Sequence, residues 1–109
     1  MKSDKNIPQE TTTKERSFTL PAILDLETVE TVVKETAPWL EEQGLTLTLD
    51  ASPVDIIMAP GVQLLLSINK TLVQSGGKLI VKQPSEFFVS IFKSLGLLTL
   101  LAQWENPHA

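Results

Sequence analysis

A chain of 109 residues holds one domain rather than two, because independent domains run to about 100–150 residues. Its 42% apolar and 20% charged content fits a globular core, and the absence of cysteine excludes disulfides, zinc ribbons and thiol chemistry. A net charge of −4 with no basic stripe argues against nucleic acid or an anionic membrane surface as the partner. Apolar runs stop well short of the roughly 18–20 residues that span a bilayer. Residues 1–16 lack the apolar segment of a secretory signal, so the expected setting is cytoplasmic, without membrane insertion.

Residues 1–16 are polar and aperiodic and read as a disordered N-terminal tail. Ordered structure is expected from Ser17 to Leu20 as a short strand ended by Pro21. From Asp25, a suitable N-cap, the pattern turns helical, with Leu26, Val29, Val33 and Leu40 on one face, Val32 and Ala37 beside them, and Gly44 as the stop. Pro38 either kinks this helix or ends it near Thr36. Residues 45–49, Leu-Thr-Leu-Thr-Leu, alternate strictly and predict a strand with one leucine face and one wetter threonine face.

A mostly apolar connection, 54–59, leads to a helix over 60–75 with Leu64, Leu65, Ile68 and Leu72 as its buried stripe. Gly76-Gly77 closes it. Residues 78–82 predict a compact strand. A third helix opens at Pro84-Ser85, is expected to bury Phe87, Phe88, Ile91, Phe92 and Leu95, and ends at Gly96. Residues 97–101 read as a short strand or turn. Strand–helix alternation with short connections predicts one α/β domain, a small mixed, mostly parallel sheet of about four strands with helices mainly on one face. The domain is placed at 17–104, with 105–109 as a C-terminal tail.

Catalytic chemistry has little to stand on. The single histidine, His108, is the penultimate residue. No serine has the setting of a hydrolase nucleophile, and no ligand cluster suggests a metal or cofactor. Asp50 and Asp55 sit near the strand edge where open α/β sheets place ligands, but a strand-ending Asp and a loop-tethering Asp account for them more simply. Gly76-Gly77 follows a helix and precedes a strand, the reverse of a dinucleotide fingerprint. The expectation is a protein without enzymatic activity.

Residues 49–66, Leu-Asp-Ala-Ser-Pro-Val-Asp-Ile-Ile-Met-Ala-Pro-Gly-Val-Gln-Leu-Leu-Leu, resemble without a gap the signature of STAS domains, the family of anti-sigma-factor antagonists. Gly61, Gln63 and the leucines are most similar to the variant found beside bacterial chemotaxis genes. Gly76-Gly77-Lys78-Leu79, Pro84-Ser85 and Leu95-Gly96-Leu97 look like the family's later landmarks, in order. The resemblance implies a signalling module in which a Ser or Thr at the start of the central helix is phosphorylated by a partner kinase. Here that position holds Ala59, preceded by Met58 where the signature has Asp and followed by Pro60. The likeness therefore carries over a fold and a binding surface without the hydroxyl that would switch it.

By position, the partner-binding candidates are Val54, Ile56, Met58, Ala59, Pro60, Gly61 and Gln63, with Ala59 as a degenerate phosphosite. The implied partner is a protein: a kinase, an anti-sigma factor or another signalling protein. The alternatives are the ATPase of an ABC transporter, of which the chain would be a small cytoplasmic STAS subunit, and a second copy of the chain. Ser52, Ser67 and Thr71 are the alternative phosphosites. Leu98, Leu101 and Trp104 either form an exposed apolar patch or fold back to bury Trp104, the second being favoured.

Overall fold

The computed structural model describes residues 14–105; residues 1–13 and 106–109, and with them most of both expected tails and His108, lie outside the described residues. In chain order the elements are β1 (Glu15–Thr19), β2 (Ile23–Leu24), α1 (Leu26–Leu40), β3 (Thr46–Asp50), β4 (Ile56–Ile57), α2 (Ala59–Gln74), β5 (Lys78–Lys82), α3 (Glu86–Ser94) and α4 (Leu98–Glu105). Three strands form one sheet in the order β1-β3-β5, and β2 pairs with β4 in a second. Every described ladder is parallel, as helical crossovers require. The first strand thus begins at Glu15, inside the stretch expected to be tail.

The central strand explains the layering. Leu45, Leu47 and Leu49 are fully buried. Of the threonines between them Thr48 is half-buried, but Thr46 is buried, so the expected wetter threonine face holds only toward the C-terminal end of the strand. Alternation at a period of two drives the leucines under the helices. Leu79 and Val81 of β5 continue that face, aligned with Leu47 and Leu49. Ser17, Thr48, Thr19, Asp50 and Lys82 line the opposite face and a shallow depression of about 170 Å³.

Helix α1 starts on a reciprocal cap: the Thr28 amide donates to Asp25 Oδ1 and the Asp25 amide donates to Thr28 Oγ1. Hydrogen bonding from the Thr28 amide holds the Asp25 carboxyl below its ordinary pKa. Pro38 lies inside the helix. It removes the amide that would reach the Lys34 carbonyl, but both residues are exposed near the last turn. The buried side is rotated from the expected stripe: Val32, expected beside it, and Thr36 are buried, whereas Leu26 is 67% and Val33 42% exposed. Thr36 is accepted inside because its hydroxyl donates to the Val32 carbonyl at 2.9 Å.

Helix α2 buries Leu64, Leu65, Ile68 and Leu72 as expected. Its end is a Schellman closure: the Gly77 amide donates to the Leu72 carbonyl and the Gly76 amide to that of Val73, with Gly76 at φ +82°. A Cβ on Gly77 would stand 2.1 Å from the Leu45 carbonyl oxygen, so this position admits glycine alone.

Two expectations near the C-terminus are corrected. In α3 only Phe88 and Phe92 are fully buried, stacked at 4.9 Å; Phe87 and Leu95 are about half exposed. Phe87 lies about a quarter-turn from the 88–92 face, whereas Leu95 shares that face by spacing but is the C-cap, beyond the last helical residue Ser94. Residues 98–105 form a helix rather than a strand or turn. Leu101 and Trp104 are buried beneath it, Trp104 lies edge-on to Phe92 at 5.7 Å, and its indole N–H donates to Asn69 Oδ1 at 3.2 Å.

Candidate partner-binding surface

The chain leaves β1 through Leu20 and Pro21, and the next carbonyls gather the loop after β3. Ala22 O accepts from the amides of Asp55 (2.7 Å) and Ile56 (3.1 Å), and Leu24 O accepts from that of Met58 (2.9 Å). Ile23 is thereby paired with Ile56, and Leu24 with Ile57. Alternation again sorts the side chains. Leu24 and Ile57 are buried, while Ile23 and Ile56, directly opposite each other, are 44% and 43% exposed. Leu26 at the start of α1 and Met58 at the start of α2, 53% exposed, extend this surface on either side.

Met58, not Ala59, is the N-cap of α2, and it contributes no side-chain cap. Ala59 is the first helical residue and Pro60 the second. Pro60 has no N–H, and the Gly61 amide is turned back onto the Met58 carbonyl at 2.8 Å. Two of the first-turn donors that would ordinarily meet an anion are therefore missing or committed. The α2 N-terminus is both hydroxyl-free at Ala59 and poor in free donors.

The seven predicted contacts divide by depth. Ile56, Met58, Ala59 and Gln63 are exposed, and Pro60 is half-buried. Val54 and Gly61 are both buried, beneath the exposed residues of the same segment. A Cβ on Gly61 would lie 2.9 Å from Leu24 Cβ and 3.0 Å from Ile57 Cγ1, so glycine lets α2 begin directly against the β2–β4 pair. Val54 is fixed through its carbonyl, which accepts from the Ser85 hydroxyl at 2.6 Å. Ser85 also caps α3 through the Phe88 amide. Ile23 and Leu26 were not expected here. Ile23 comes here by pairing with Ile56 and Leu26 by opening α1 two residues after that pair, which are tertiary facts.

Asp50 and Asp55 do not converge. The Asp50 carboxylate accepts from the Ser52 amide at 3.0 Å, which with Lys82 nearby holds its pKa below the ordinary carboxylate value. It borders the depression on the open sheet face, which Asp55 does not line. Among the alternative phosphosites, Ser52 and Ser67 are exposed and Thr71 is half-buried. Among the described residues no group of three or more His, Cys, Asp or Glu is placed to hold a metal ion, and no helix is long and apolar enough to cross a membrane.

The fold is a small parallel α/β domain whose exposed apolar side chains surround the start of its central helix. A family model described as "Mlab, STAS domain" matches residues 10–102, and the chain belongs to the STAS domain family. Among solved structures it is similar to the anti-sigma factor antagonist SpoIIAA in its unphosphorylated form, with a TM-score of 0.69 and 21% identity over 84% of this chain and 80% of that one. No curated protein sequence matches the chain.

Proposed function

We propose that the protein is a non-enzymatic protein-binding module that docks through Ile23, Leu26, Ile56 and Met58, with its binding not switched by phosphorylation at position 59. The observation carrying this is the start of α2. By the resemblance of the sequence, Ala59 stands where the family has its phosphoacceptor, and the turn around it offers apolar side chains in place of hydroxyl and amide donors. A cluster of four large apolar residues, each more than two-fifths exposed, is what a docking surface requires. Similarity to SpoIIAA favours a partner in signalling, of the kinase or anti-sigma-factor kind, as does the chemotaxis-type sequence pattern. A second reading, which rests on the family resemblance of the sequence, is a small subunit regulating the ATPase of an ABC transporter.

The test is affinity capture with wild type beside Met58→Asn, with the captured proteins identified by mass spectrometry. Loss of a specific partner on substitution supports the docking face, and equal capture by both refutes it. Whether that partner is a signalling kinase or a transporter ATPase decides between the two readings. Stoichiometric phosphorylation of the native protein, seen by intact mass, would overturn the phosphorylation-blind account.

A further inference from the structure

Charge is distributed along this molecule by pole, and the apolar surface occupies one pole. In a parallel α/β domain the strand C-termini and helix N-termini share an edge. Asp25 caps α1, Glu27 lies in its first turn, Asp55 precedes β4 and Glu86 opens α3. Glu27, Asp55 and Glu86 are exposed. The cation at this edge among the described residues is Lys82, which stands in register with Asp50. The other charged groups of residues 14–105, six cations and six carboxylates, cancel. The chain's entire formal charge of −4 is thus matched by the carboxylates around the apolar surface.

Resting on the docking face proposed above, we infer that its occupant is a protein surface with an apolar centre framed by lysine and arginine side chains. The centre would cover Ile56 and Met58 and the cationic frame would meet Glu27, Asp55 and Glu86. Fixed carboxylates at the rim of an apolar contact steer encounter with a basic partner and repel an acidic one. Rim charges of this kind are screened beyond roughly 8–10 Å at physiological salt, so the signature of the interaction is a salt-dependent affinity.

The experiment is selection of a random-peptide display library on the full-length chain at low salt. Enriched sequences are then titrated as synthetic peptides against wild type, Met58→Asn and the triple variant Glu27→Gln/Asp55→Asn/Glu86→Gln. The expected peptides combine apolar residues with lysine or arginine. Their Kd rises about tenfold between about 0.05 and 0.5 M NaCl, and the triple variant, still folded but with a modestly lower Tm from the loss of two first-turn carboxylates, binds about tenfold more weakly at low salt. Acidic or uncharged peptides that are lost on Met58→Asn would overturn this inference and leave the docking face standing. Peptides indifferent to Met58→Asn would overturn both, and enrichment of no peptide above background would count against the inference as well.

Discussion

Closure of the domain by α4 is tested at Trp104. The indole is 3% exposed, lies edge-on to Phe92 and donates to Asn69 on α2. Truncation to alanine removes a large buried side chain and leaves a cavity, a change that costs about 3–5 kcal/mol. Trp104→Phe keeps most of the apolar volume and loses the hydrogen bond, whose net worth is about 1 kcal/mol. Asn69→Ala removes the same bond from the other side, so the two substitutions should couple by about 1 kcal/mol in a double-mutant cycle. Urea unfolding followed by far-UV circular dichroism measures all four species. For a domain of this size each kcal/mol also lowers Tm by about 4–8 °C. If Trp104→Ala costs less than about 0.5 kcal/mol, the change is that of an exposed residue, and α4 is not docked.

Gly77→Ala should be among the most damaging single-methyl additions, costing about 2–3 kcal/mol or preventing folding, because the new Cβ meets the Leu45 backbone at 2.1 Å. Gly44→Ala is the control: it has no atom within 4 Å but a φ of +69°, so thermal melting should show only the conformational penalty of about 1–2 kcal/mol. The Asp25 carboxyl is depressed by the Thr28 amide. Its stabilisation is therefore full above the unfolded-state value of about 3.9 and lost as pH falls through the lower folded value. Asp25→Asn caps α1 without titrating, so any Tm advantage of wild type at neutral pH should shrink toward about pH 3; an advantage constant with pH would contradict the assignment.

Much of the frame was legible because it rests on local periodicity. The alternating leucines of β3, the 64–65–68–72 stripe of α2 and the lysine-bracketed β5 all appear where the pattern places them. The failures share a physical origin. Residues 97–101 look like a strand in isolation, and the helix emerges only when Leu97, Leu100, Leu101 and Trp104 are taken as a single 3.6-period face. The α1 stripe was misplaced because a threonine is buried at position 36, its hydroxyl satisfied by the preceding turn. At the site, the signature segment marked Ile56 and Met58. It could not mark Ile23, which joins them through backbone bonds between segments over thirty residues apart, or Leu26, which follows that pairing at the start of α1. Val54 and Gly61 belong to the motif for the opposite reason, as buried supports that fix where the exposed residues stand.

The α2 N-terminus allows binding to be separated from folding in one substitution. Met58 occupies an N-cap that makes no side-chain hydrogen bond, and the Gly61 amide that an N-cap side chain would reach already bonds the Met58 carbonyl, so Met58→Asn should leave stability unchanged or slightly raised. The same change removes the central apolar contact of the docking face, worth about 1–2 kcal/mol or roughly tenfold in Kd. The measurement is calorimetric titration of the captured partner with wild type and Met58→Asn, beside their Tm values. At least about tenfold weaker binding with an unchanged or higher Tm is predicted; affinities within about twofold would contradict the claim that this surface is where the protein binds.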